Sequence, residues 1–242
     1  MNESLVTDEV ISVSFAEGIR ETKAKIERDS SKLQVDGLKG ASRALFLARL
    51  VQSTTRAIVV LTPNQNTGET LIGDLKYFYK FNNIKSVPRF FPTWELLPYE
   101  NLSPVSEIMG ERLEILNLIQ RNEVPLLVVP VEAIMQCVMP RRELSSQTFT
   151  IMKGETFERE FLETCLFDNG FARIPMVENR GEFSVRGDII DIYPPASSDP
   201  LRIEFFDNRI ESIREFDISS QVSLKVVERL EILPVREVSP TS

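Results

Sequence analysis

Residues 57–63, Ala-Ile-Val-Val-Leu-Thr-Pro, and residues 125–131, Pro-Leu-Leu-Val-Val-Pro-Val, are short apolar runs rich in β-branched side chains and closed or interrupted by proline. Runs of this length with such punctuation read as strands. Their successive positions are apolar, not only alternate ones, which marks strands buried on both faces of a parallel sheet. Helical periodicity fills the space between them. Leu71, Leu75, Phe78 and Tyr79 form one stripe within 66–81, and Ile108, Leu113, Ile115, Leu116 and Ile119 form another within 104–122, with Pro104 at its start. Ser86–Phe91 supplies a further strand. Upstream, Leu45, Leu47, Ala48 and Val51 predict a helix, Leu33–Val35 a short strand, and residues 15–29 a helical lead-in. Strands and helices in alternation predict an α/β domain with helices on both sides of the sheet.

The pattern changes after about residue 143. Residues 146–155 predict a strand, and Phe157–Asn169 one helix stopped by Gly170. Closely spaced strands follow at 172–177, 181–195, 201–206 and 209–217, with Asp207-Asn208 where a tight hairpin turn belongs. This is a small mixed α+β unit, more antiparallel than the first. The expected division is 1–143 for the first α/β domain and 144–224 for the second. Residues 225–242, containing Lys-Val-Val-Glu-Arg-Leu-Glu-Ile-Leu-Pro-Val, are expected to be a strand returning to the first domain.

The net charge of -8 argues against autonomous, tight binding to a phosphate backbone, which asks for a basic face. The chain has no histidine, so neither a Ser-His-Asp nor a Cys-His site is available, and with only Cys137 and Cys165 a structural zinc site is not expected. Two cysteines make no disulfide framework. No apolar run approaches the ~20 residues that span a bilayer, and the first residues lack the layout of a signal peptide. The expectation is a cytoplasmic protein with reduced thiols, no membrane and no metal.

Gly37-Leu-Lys-Gly-Ala-Ser-Arg-Ala44 sits where a phosphate-binding loop would, between an expected strand and a helix. A working loop reads G-x-x-x-x-G-K-[ST]: backbone amides cradle phosphates, the lysine reaches the β/γ-phosphates, and the hydroxyl holds magnesium. Here Gly37 and Gly40 remain, but Ser42 replaces the last glycine, Arg43 the lysine and Ala44 the hydroxyl residue. A guanidinium fork does not substitute for an ammonium there, and alanine cannot ligate magnesium. The segment is expected to be structural, without catalytic residues and without a bound nucleotide cofactor.

Three segments together carry a resemblance: Gly37–Leu50 (GLKGASRALFLARL), Trp94–Leu116 (WELLPYENLSPVSEIMGERLEIL) and Gly181–Asp217 (GEFSVRGDIIDIYPPASSDPLRIEFFDNRIESIREFD). In that order they resemble the N-terminal, UvrB-like region of bacterial transcription-repair coupling factors, the Mfd family, over roughly residues 30–235. The loss of the P-loop side chains, and a chain that runs from Pro98 through Leu102 and Pro104 straight into a helix, distinguish it from UvrB, which keeps the loop and inserts an aromatic hairpin. The resemblance implies a RecA-like parallel-sheet domain with a degenerate P-loop and a small α+β domain that binds UvrA. It implies a module recruiting UvrA where RNA polymerase has stalled at a lesion. ATP and magnesium, like the contacts to DNA and RNA polymerase, are implied for other regions of the longer protein. A C-terminal domain of that protein is implied as an intramolecular partner that masks the docking surface. The alternative is a UvrB-type ATPase and damage-binding subunit.

By the same resemblance Arg186, in the motif before Gly187, and Arg173, thirteen residues earlier, are UvrA contacts. UvrB-like chains commonly place another arginine where this one has Ser184. Arg180 and Phe183 are added as neighbours on the expected face, since an arginine beside an exposed aromatic is a frequent interface anchor. Other features read more plainly. Asp188 and Asp191, which bracket two isoleucines, are expected to face solvent. So are Glu107, Glu111 and Glu114, with Arg112 interleaved, on one helix. Trp94 and the residues that follow it to Tyr99 are expected to pack as core.

Overall fold

The computed structural model describes residues 15–28, 33–94 and 105–237. The stretch from 95 to 104, including the passage Pro98–Pro104 and most of the Trp94–Tyr99 segment, lies outside them. In chain order the elements begin with α1 (Phe15–Glu27), α2 (Ser42–Ser53), β1 (Ile58–Thr62), α3 (Gln65–Phe81), β2 (Arg89–Phe90), α4 (Ser106–Gln120), β3 (Leu126–Pro130), α5 (Val131–Ile134) and α6 (Arg141–Gln147). They continue with β4 (Phe149–Met152), α7 (Arg159–Asp168), β5 (Ala172–Arg173), β6 (Glu182–Arg186), β7 (Ile189–Ile192), β8 (Leu201–Phe206), β9 (Arg209–Phe216), β10 (Ser223–Val226) and β11 (Arg229–Ile232).

The first unit is the expected α/β layer. Its parallel sheet has the order β1-β3-β2. Alternation along β3 divides the core: Leu126 and Val128 meet Ala44, Ala48, Ile72, Leu75 and Tyr79 of α2 and α3, while Leu127 and Val129 meet Phe91, Ile115 and Leu116 on the α4 side. Asn64 caps α3 through its side chain, which accepts from the Thr67 amide at 2.9 Å. The expectation of cover on both faces fails at β1. Ile58 and Val60 pack under α2 and α3, but Val59 and Leu61 are more than half exposed, because α4 is centred on the other two strands and does not reach them. The expected strand at Leu33–Val35 is absent; residues 33–39 are irregular and give a three-residue run no neighbour to pair with.

The second unit centres on a six-stranded sheet, β10-β9-β8-β7-β6-β5, antiparallel except for the short β5–β6 pair. Gly170 stops α7 with φ +85°, and the hairpin between β8 and β9 turns at Asp207 with φ +53°. Leu162 and Leu166 of α7 cover one face, joined by Phe171, Ile190, Ile192, Ile203 and Ile213. The expected single strand at 172–177 shrinks to two residues, and 181–195 is a hairpin, β6–β7, bent at Gly187.

The expected return strand is corrected. Residues 225–235 hold two strands, and neither joins the parallel sheet: β10 pairs with β9, and β11 pairs antiparallel with β4. The return is made by side chains. Leu233 packs with Leu113, Met139 and Leu144, and Glu231 takes hydrogen bonds and charge from Asn117 and Arg121. Arg112, expected to be solvated, is 0% exposed. It meets Glu237 through Nε at 2.6 Å and Nη2 at 3.2 Å, donates to Pro92 O and Gln136 Oε1, and stacks over Phe91 and Trp94. Glu107 and Glu111 are exposed as expected, and Glu114 is half-buried. Burial pushes the Glu237 carboxyl up, against the opposing pull of the Arg112 hydrogen bonds. Gly110 lets the strap at Pro195 lie against α4; a Cβ there would come within 2.4 Å of the Pro195 backbone.

Candidate protein-docking surface

Strand alternation gives the six-stranded sheet one apolar and one polar face. The register aligns Ser184 with Asp191, Asp191 with Arg202, and Arg202 with Arg214, a polar row across β6, β7, β8 and β9. Asp191 is 2% exposed, contrary to its expected place in solvent. The reason is cover from its own partners. Arg202 reaches Oδ1 with Nε at 2.7 Å and Oδ2 with Nη2 at 3.0 Å, and Arg186 reaches Oδ2 with Nη2 at 2.5 Å. Arg202 also lies over the Phe216 ring and donates to Gln221. The hydrogen bonds from Arg202 to Asp191 raise its pKa above the ordinary guanidinium value. Asp188 stays exposed near Arg159, so the two aspartates form no pair. Among the described residues no group of three acidic, cysteine or histidine side chains is placed to hold a metal, and Cys137 and Cys165 are unbonded.

The four residues expected at a docking face separate into three environments. Arg186 has a side chain 43% exposed and ends the polar row. Arg173 is 58% exposed and pairs with Glu163 of α7 at 3.0 Å, which sets it on the helix side of the same sheet. The two arginines thus flank the sheet at its β5–β6 edge. Arg180 is withdrawn from that edge. Its Nε meets Glu107 of α4 at 3.0 Å, its Nη1 donates to the carbonyls of Pro195 and Ser197, and its guanidinium lies over Tyr193. It is a strut between the two units. Phe183 is corrected outright: it is 1% exposed and belongs to the core. Its pairing with Ile192 and its alternation with Ser184 send it inward.

Close to this edge, the Glu182 carboxylate accepts from the backbone amides of Glu178 and Asn179 and from the Asn179 side chain. Burial raises its pKa, but these three donors outweigh it and hold the group below its ordinary 4.5. They fix the turn leading into β6. Arg202 was not singled out from sequence, and Asp191 was read only as facing solvent. The available signal was Asp191 standing between inward-facing Ile190 and Ile192, which places it on the opposite face.

The loop at 37–44 lies in the other unit. Gly37 and Gly40 have φ of +82° and +53°, Ser42 Oγ donates to Lys39 O at 2.7 Å, and Arg43 Nε donates to Leu38 O at 3.3 Å. Ala44 is fully buried against α3, so its position faces core. Among the described residues no helix is long and apolar enough to cross a membrane.

The family model described as "UvrB interaction domain" matches residues 149–237. That match starts at β4 and ends at Glu237, so it takes in the six-stranded sheet, β11 and the Glu237 anchor. The transcription-repair-coupling factor of Myxococcus xanthus is 34% identical over 227 residues, 93% of this chain and 18% of that protein. That of Bacillus subtilis (strain 168) is 33% identical over 201 residues, 83% of this chain and 17% of the relative. That of Escherichia coli (strain K12) is 31% identical over 200 residues, with the same shares. The chain therefore spans less than a fifth of the length of these relatives.

Proposed function

In a chain related to the transcription-repair-coupling factors, with a match to the UvrB interaction domain over residues 149–237, we propose that the β5–β6 edge docks UvrA. The observation that carries this reading is the pair of accessible guanidiniums, Arg173 and Arg186, flanking one sheet edge inside the matched domain. Exposed arginines on a rigid element make good anchors, because the planar fork loses little freedom for each hydrogen bond it forms. The first unit then serves as a platform, tied to the docking unit by Arg112–Glu237 and Arg180–Glu107.

In this reading the chain recruits UvrA to lesions where RNA polymerase has stalled. Motor activity, ATP and magnesium, and contacts to DNA and RNA polymerase belong to other parts of a longer protein, one of which masks the docking edge until polymerase is engaged. The chain itself does not hydrolyse ATP. In support, Arg43 is spent on the Leu38 carbonyl and Ala44 offers a buried methyl where a magnesium-binding hydroxyl is needed.

The test is Arg186→Ala. It is expected to weaken UvrA binding at least tenfold, about 1.4 kcal/mol or more, while the thermal melt stays that of a folded protein. Unchanged affinity removes Arg186 from the interface.

A further inference from the structure

We propose that Asp191 is a positioning residue that holds Arg186 ready to receive a carboxylate of the docked partner; the inference rests on the docking role given to Arg186 above. Asp191 is buried and both its oxygens are engaged, by two guanidiniums from β6 and β8. The two arginines are not equivalent. Arg202 is locked on three sides, by a two-point contact to Asp191, by Gln221 at 2.8 Å and by the Phe216 ring, and its side chain is largely covered. It neutralises the aspartate. Arg186 is then the second cation on one anion, so the surplus positive charge rests on the exposed member.

Arg186 spends one nitrogen, Nη2, on Asp191. Its Nε and Nη1 have no partner among the described residues. Nη2 carries two N–H groups, so with one on Asp191 the other still stands beside either Nε–H or Nη1–H, and that adjacent pair is a fork of fixed direction, the geometry that takes a carboxylate at two points. Ser184, directly across from Asp191 in the register, adds to the same row a buried hydroxyl with no hydrogen-bond partner among the described residues. Further along the same face Arg214 meets Glu204 at 3.2 Å, and Glu204 also accepts from Ser212. A fork held in place before the partner arrives loses less freedom on binding, which is the contribution assigned to Asp191.

A double-mutant cycle on UvrA affinity tests this, using the whole chain with Arg186→Gln, Asp191→Asn and the pair, each checked by thermal melt. Asp191→Asn is expected to weaken binding about tenfold in the wild-type background and by less than about twofold beside Arg186→Gln. Equal losses in both backgrounds, or none in the first, overturn the positioning role. An Arg186→Gln variant that binds like wild type defeats the docking reading instead. Raising salt is expected to weaken wild-type binding more than Arg186→Gln binding; identical salt dependence contradicts a carboxylate at this fork. If Asp191→Asn does not fold, nitrogen-15 spectra of the wild-type arginine side chains decide. A slowed Arg186 guanidinium supports the clamp, and one rotating as freely as an unpaired surface guanidinium contradicts it.

Discussion

Phe183 and Arg186 stand three positions apart on β6 and end in opposite environments, one in the core and one at the rim of the polar face. Period-two alternation decides this, and it was legible: position 183 shares its side with Val185, and Ser184 faces the other way. Phe183→Ala is therefore expected to cost about 3–5 kcal/mol in denaturant unfolding, with any loss of UvrA binding following the unfolded fraction. A variant that stays as stable as wild type but binds UvrA poorly would return Phe183 to the interface. The burial of Asp191 and Arg112 was not legible. Asp191 is covered by Arg202, eleven positions along the chain, and Arg112 by Glu237, 125 positions away. Neighbouring glutamates made Arg112 look like part of a solvated face, and only the packing of Glu237 against it shows otherwise.

At the scale of elements, most strands and helices of the first unit follow from their apolar runs and the β8–β9 turn from Asp207, whereas the turn at Gly187 was read through as one strand. Pairing partners do not follow from such runs. Residues 225–235 read as one strand, yet β10 and β11 serve two different sheets. The helix start at α2 is packed where a phosphate loop would carry its hydroxyl. Ala44 is fully buried, so Ala44→Thr is expected to overpack the contact with α3 and cost about 1–3 kcal/mol in thermal unfolding. An unchanged melting curve would show room that the packing denies. The turn before β6 carries a pH dependence of known sign. Glu182 titrates lower in the folded chain than its ordinary 4.5, so its stabilisation is complete above that unfolded value and is lost as pH falls through the folded one. The gap in melting temperature between wild type and Glu182→Gln should narrow from about pH 6 to about pH 3; a gap that widens on acidification reverses the assignment.

Across the whole molecule, two ion pairs between residues distant in the sequence join the two units. Arg112–Glu237 is buried, while Arg180–Glu107 is partly exposed and contributes less. Breaking the first by Arg112→Met leaves a buried carboxylate unpaired and is expected to cost about 3–5 kcal/mol; adding Glu237→Leu should recover much of that. No recovery would mean that the loss came from the contacts to Pro92, Gln136 and the two rings. The central claim is that this assembly presents two arginines at one sheet edge to UvrA. Calorimetric titration of UvrA into the chain and into its Arg173→Ala/Arg186→Ala variant tests it directly. Saturable binding by the first and little or none by the equally folded second is predicted, and equal binding by both would contradict the account.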